Sequence, residues 1–277
     1  MILTNCSPKH DWCFKTTPQK ALNDRIIAQP RGRLLGGSSS INFMIAAHPS
    51  SQDIDNWEKL GNPTWNWETL LPYYRKSETF NIPSDELKAS LGDIFDPELY
   101  GKDGPVQLTF PHSTGPPDAA WRSTLQTLGV GAMDDPRRGE TLGGYAVLRT
   151  IDLGAKRSHA GTAYYLPASS RKNLTVVTGA HVNKILLETD TGKVKATGVC
   201  FTVAGKEYTV SSSNEVILAA GTFQSPQVLE LSGVGSAKVL AAAGVELVVE
   251  NENVGENLQV SVASLYASVL GIALSFS

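Results

Sequence analysis

Apolar positions along this chain fall into two regimes. Up to about Arg171 they come in short groups broken by glycine and proline, and beyond it they gather into β-rich runs. In the first regime Arg25 to Gln29 reads as a short strand that Pro30 ends. A glycine- and serine-rich loop, Arg31 to Asn42, follows and leads into an apolar stretch. Asp53 to Leu60 predicts a helix stopped by Gly61-Asn62-Pro63, and Trp67 to Ser77 predicts a second. From Phe80 to Pro117 prolines, glycines and polar residues recur, which predicts a surface excursion holding one strand, Pro105 to Phe110. A helix over Ala119 to Leu128, closed by Gly129, completes this half.

The second regime predicts strands at Leu174 to Thr178, His181 to Glu188, Val194 to Val203 and Glu207 to Val210, with a turn at Thr191-Gly192. Glu215 to Gly221 is a continuous apolar run ending in glycine, the pattern of a strand buried on both faces of a sheet. A helix over Ser225 to Ser232 follows, with Pro226 placed near its first turn, where a missing N–H costs least. Strand, glycine turn and helix in that order suit an α/β nucleotide-binding layer.

With 277 residues the chain can form one large domain or two ordinary ones. The formal net charge of −3, with both signs interspersed, argues against a nucleic-acid surface. Three cysteines, Cys6, Cys13 and Cys200, make neither a disulfide framework nor a metal motif. Free thiols are the expectation, with a Cys6–Cys13 pair as the alternative. The first residues lack the basic and apolar regions of a signal peptide, which favours a cytoplasmic over a secreted location. Val260 to Leu274 is uncharged and mostly apolar, but its serines and lack of basic flanks favour a buried or disordered tail over a membrane anchor.

Two segments carry chemistry. In Gly36-Gly37-Ser38-Ser39 paired glycines let backbone approach a phosphate, and the N–H groups and hydroxyls can donate to an anion. Taken alone the loop reads more readily as a flexible connection than as a phosphate site. Gly221 to Gly235 is the second segment, and alone it is a plain strand–helix connection. His10, His48, His112, His159 and His181 are scattered without metal spacing and read as surface or satisfied polar residues. Trp57, Trp65 and Trp67 read as core or lid packing rather than a substrate funnel.

Together the two segments resemble the signatures of the glucose–methanol–choline (GMC) oxidoreductase family of FAD enzymes, in a fungal style. Gly61 to Trp67, Asn173 to Val176, Glu215 to Gly221 and Asn253 to Gln259 also resemble family text, so the likeness runs from about Asp11 to Gln259. It implies an α/β fold: an incomplete, Rossmann-like FAD-binding domain with part of an α+β substrate domain. Residues 11–79 and 159–259 would be segments of the FAD-binding domain, the first with a lid, 80–158 part of the substrate domain, and 260–277 a divergent apolar tail. Carried over position by position, Gly36, Gly37, Ser38 and Ser39 would lie along the FAD pyrophosphate. Asn42, Phe43 and Met44 would sit near the flavin ring, Val182 near the adenine, and Ala220 and Gly221 beside the cofactor where the buried strand ends.

The resemblance also marks what this sequence does not contain. No GxGxxG unit is present, and after Asn257-Leu258-Gln259 the text departs from the family at Val260-Ser261, so the expectation is a chain truncated at both ends. No residue is assigned the family's catalytic histidine role, and no metal site is expected. The first reading is an FAD-dependent oxidoreductase acting on the CH–OH group of a small-molecule alcohol. The alternative is a non-catalytic remnant or interaction protein with weak or no FAD binding. An NAD dehydrogenase is excluded for want of a nicotinamide-binding βαβ unit.

Overall fold

In the computed structural model the described residues are 7–91, 95–111, 120, 124–129 and 135–258. The chain forms two compact units, residues 1–174 and 175–277.

The first unit begins with a small antiparallel ladder of β1 (Phe14–Lys15) and β2 (Ala28–Gln29), so the strand expected over Arg25 to Gln29 survives only at its end. β3 (Ile45–Ala46) follows the glycine–serine loop. Helix α1 (Ser51–Lys59) starts where Ser50 accepts the Asp53 N–H and its hydroxyl donates back to the Asp53 carboxylate at 2.7 Å, a variant of the capping box. Helix α2 (Trp67–Lys76) starts at Asn66, which accepts the Thr69 N–H, while Asp55 of α1 accepts the Trp67 N–H at 2.8 Å. Helix α2 starts at Trp67 as expected, whereas α1 starts at Ser51, two residues before the expected Asp53, because Ser50 supplies the cap. Of the core or lid packing expected for the tryptophans, core packing does not hold for Trp57 and Trp65, which are 42% and 53% exposed and pack on each other.

The apolar centre of this unit lies beyond α2. β4 (Glu78–Phe80) pairs in parallel with β5 (Val106–Leu108), and a short helix α3 (Asp85–Leu91) sits between them in the chain. Phe80, Leu91, Tyr100, Phe110 and Leu148 are buried together, with Phe80 stacked on Tyr100 at 4.2 Å and edge-on to Phe110. β6 (Leu148–Arg149) returns antiparallel to β3. Next to this core is a buried charged network. Arg137, 2% exposed, donates to Glu78 and to His48 Nε2 at 2.7 Å, and its guanidinium lies 4.8 Å from the centre of the Tyr100 ring. The Tyr100 hydroxyl donates to Asp135 at 2.9 Å. Burial pushes the Glu78 carboxyl up, but the hydrogen bond and charge of Arg137, with His48 Nε2 3.8 Å away, outweigh it and hold the carboxyl below its ordinary range. Of the helix expected over Ala119 to Leu128, residues 120 and 124–127 are helical and residues 119 and 121–123 lie outside the described residues, as do the apolar tail and His112.

In the second unit β7 (Ala180–Asp190), β8 (Lys193–Val203) and β9 (Lys206–Ser211) form an antiparallel sheet in chain order. Two-residue turns join them, Thr191-Gly192 and Ala204-Gly205, each with both φ angles positive, which matches the right-handed strand twist. Helix α4 (Gly221–Leu231) packs on β7, where Ser232 Oγ accepts the Ile185 N–H at 2.8 Å and donates to the Val228 carbonyl. Helix α5 (Ala237–Ala243) buries Leu240, and β10 (Val234–Gly235) and β11 (Val249–Glu250) pair in parallel.

Four expectations need correcting. Residues 215–219 form no strand, and Ile217 is 80% exposed. An apolar run becomes a strand only when neighbours supply a ladder, and no described residue pairs with it. Leu174 to Thr178 likewise lies outside any ladder. Helix α4 begins at Gly221, so Pro226 sits in its second turn rather than its first. Finally, Cys13 is disulfide-bonded rather than a free thiol, while Cys200 is free and buried on β8.

Candidate functional site

The glycine–serine loop is built on two left-handed glycines, Gly36 at φ 92° and Gly37 at φ 54°. They turn the chain into a single 3₁₀ turn, Gly37–Ser40. The two glycines face opposite conditions. A Cβ on Gly36 would lie 2.5 Å from Ser40 Oγ, 2.6 Å from His159 Nδ1 and 2.9 Å from the Gly161 N. A Cβ on Gly37 would meet nothing within 4 Å. The inner side of the loop is therefore packed, and Gly37 offers bare backbone to open space.

A second segment, Arg157 to Gly161, holds the inner side. Ala160 N–H donates to Ser39 Oγ at 3.0 Å, and that hydroxyl donates to the Gly36 carbonyl at 2.5 Å. Ser40 Oγ lies 2.9 Å from His159 Nδ1 and 3.0 Å from the Leu35 carbonyl. Ser38 differs: its oxygen accepts the Gly32 N–H at 3.1 Å, and its O–H has no acceptor among the described residues. Of the three hydroxyls, the Ser38 proton is the uncommitted one, whereas the Ser39 proton is spent inside the loop.

Downstream, Asn42 Oδ1 accepts the Met44 N–H at 3.0 Å and an Arg157 N–H at 2.8 Å. Met44 has φ 62°, a strained conformation for a non-glycine residue, and its carbonyl accepts the Thr150 N–H. Arg149 donates to the Phe43 carbonyl at 2.7 Å, leaving the Phe43 side chain 69% exposed. The seven loop residues expected at a cofactor thus come together as one rigidly bonded surface, with two guanidinium groups behind it. Val182 lies in the second unit on β7, just before a bulge at Asn183, and Ala220 and Gly221 lie at the start of α4. Gly221 has φ 85° and open space where a Cβ would stand.

Sequence reasoning missed Arg157, His159 and Ala160. Their partners lie 115 to 121 residues away, and neither spacing nor periodicity links the two segments.

Residues 10–263 match the family description "GMC oxidoreductase". The chain belongs to the GMC oxidoreductase family. It is similar to the dehydrogenase mpl7 of Monascus purpureus, with 40% identity over 91% of this chain and 41% of that protein. The mitochondrial choline dehydrogenase of Homo sapiens is 33% identical over 94% of this chain and 41% of its own length. Among solved structures, an FAD-dependent oxidoreductase from Chaetomium thermophilum superposes with a TM-score of 0.82 at 34% identity, covering 88% of this chain and 42% of that one. This chain of the GMC family therefore spans about two fifths of the length of these relatives. The mixed helix-and-strand fold is that of the family's FAD-binding region, as the resemblance implied. Among the described residues no helix is long and apolar enough to cross a membrane, and no group of three or more His, Cys, Asp or Glu could hold a metal ion.

Proposed function

We propose that this chain supplies the loop that cradles FAD in an oxidoreductase acting on the CH–OH group of a small-molecule alcohol. The observation that carries the reading is the asymmetry of the Gly36–Asn42 loop. Its inner side is filled and hydrogen-bonded, while its outer side offers the bare backbone of Gly37 and the free hydroxyl of Ser38. A pyrophosphate is large and dianionic, and it needs backbone without side chains, hydroxyl or N–H donors, and positive charge nearby. The loop meets each requirement, with the Arg157 and Arg149 guanidinium groups tied to its carbonyls.

On this reading Gly36, Gly37, Ser38 and Ser39 line the pyrophosphate. Ser38 donates its hydroxyl, and Ser39 acts by fixing the Gly36 carbonyl from inside. Asn42, Phe43 and Met44 stand by the flavin ring; for Val182, Ala220 and Gly221 the family resemblance supports main-chain cofactor contacts. Residues 11–79 and 159–259 serve as segments of the flavin domain, and 80–158 belong to the substrate domain. When bound, FAD supplies the hydride acceptor for alcohol oxidation. This chain's residues bind and orient it, and no proton-transfer role falls to any of them.

Visible absorbance of the purified chain with excess FAD tests the reading. A stoichiometric flavin spectrum that survives desalting supports it. A colourless chain indifferent to FAD overturns it and supports a non-catalytic interaction protein.

A further inference from the structure

We infer that Arg157 is a positioning residue, which locks the Asn42 amide with its oxygen inward and its NH₂ outward and so makes Asn42 a fixed hydrogen-bond donor to the bound cofactor. The inference rests on the flavin reading of this loop and extends it to Arg157, which no spacing or motif singles out.

The orientation follows from donor bookkeeping. The two groups that face the inner atom of the Asn42 amide are the Met44 backbone N–H and an Arg157 guanidinium N–H, at 3.0 and 2.8 Å. Both can only donate, so the atom between them is the acceptor oxygen. The NH₂ then points away, and it has no partner among the described residues. An amide held by one backbone N–H could still rotate. The guanidinium prevents this: a flipped amide would set its NH₂ against two donors, one of them charged. Arg157 also donates to the Ser39 carbonyl at 3.2 Å, so one side chain spans the glycine–serine turn and the strained Met44 turn. Arg157 is itself fixed, because it bridges to Ile151 in the 149–158 hairpin, where Ser158 N–H donates to the Thr150 carbonyl and Thr150 N–H to the Met44 carbonyl. The hairpin and the loop therefore form one closed network, in which Arg157 makes the charged link.

A ligand that uses this surface must present an acceptor to Asn42. Flavin carries carbonyl oxygens and ring nitrogens along one edge, and a preoriented donor binds such a group without losing amide rotation on binding. Arg157 contributes through Asn42 rather than by touching the cofactor, and the two positions can be separated experimentally. In N42D the carboxylate still accepts from Met44 and Arg157, but the outward donor is gone.

Backbone hydrogen exchange of wild type, R157M, R157K and N42D tests the network without cofactor, and FAD titration followed by flavin fluorescence tests its purpose. R157M should speed exchange of the Met44 amide by about tenfold or more, since the local hydrogen bond loses its fixed acceptor. R157K, with an ammonium that reaches one acceptor at a time, should restore part of the protection. N42D should keep wild-type protection yet weaken FAD binding by about tenfold or more, the scale of one lost hydrogen bond plus an added like charge. In a double-mutant cycle R157M should weaken FAD binding less in an N42A background than in wild type. Equal Met44 exchange in wild type and R157M would overturn the positioning role. Wild-type FAD affinity in N42D would overturn the donor role. If wild type takes up no FAD, the flavin reading falls by itself, and the exchange series still decides whether Arg157 sets the Asn42 amide.

Discussion

Replacing either loop glycine by alanine probes the two sides of the candidate site separately, and the predicted consequences differ in kind. Gly36 and Gly37 share a left-handed backbone, so each substitution carries the intrinsic penalty of about 1–2 kcal/mol for an L-residue in that conformation. For Gly37 that is the whole cost to the fold, because the new methyl meets nothing within 4 Å. For Gly36 the methyl would stand 2.5 Å from Ser40 Oγ and 2.9 Å from the Gly161 backbone nitrogen, distances that no Cβ tolerates. Ser40 can rotate away, but the nitrogen cannot, so the 157–161 segment must shift. Overpacking of this kind costs a further ~1–3 kcal/mol. G36A should therefore lose about 2–5 kcal/mol in urea denaturation, and G37A no more than ~2. FAD binding should rank the other way relative to stability. G37A places a methyl on the open face and should weaken flavin uptake by about tenfold or more while the protein stays folded. The measurement is a pair of denaturation curves with an FAD titration on each folded variant. If G36A proves as mild as G37A, the packing of the inner face is wrong. If G37A binds FAD like wild type, the open face is not where the cofactor lies.

Other consequences follow from the buried groups. R137M leaves the Glu78 carboxylate buried without its cation and should cost about 3–5 kcal/mol in denaturation, whereas R137M/E78Q should recover part of that loss. Because the folded Glu78 carboxyl is held below its ordinary value of 4.5, its stabilising contribution is complete above that pH and is lost as pH falls through the lower folded value; E78Q should flatten this part of an acid-denaturation profile, and an unchanged profile would refute the assignment. S232A strands the buried Ile185 N–H and should destabilise by about 1–3 kcal/mol, read as a shift in the urea midpoint. Thr191 is β-branched at φ 48° in a two-residue hairpin turn, so T191N should stabilise by roughly 0.5–1 kcal/mol, and a lower melting temperature would count against the turn assignment.

The sequence by itself determined whatever depends on neighbours in the chain. The helices α1 and α2 were legible within two residues because their caps and stops lie within one turn of them. Thr191-Gly192 marks its hairpin because a two-residue turn needs positive φ at both positions. The Gly36–Gly37 pair identified the loop, and the text around it identified the family. Tertiary structure decided everything that depends on a distant partner. The run at 215–219 has the composition of a buried strand but pairs with no described residue, since a ladder belongs to two segments and the sequence describes only one. Four serine, glycine and asparagine residues that look alike in the sequence acquire different duties: Ser39 is turned inward by Ala160, Ser38 is left free, Gly36 is walled in by His159, and the Asn42 amide is set by Arg157. Hydrogen bonds across more than a hundred residues leave no periodic trace, and direction in a hydrogen bond is fixed only when both donor and acceptor are in place.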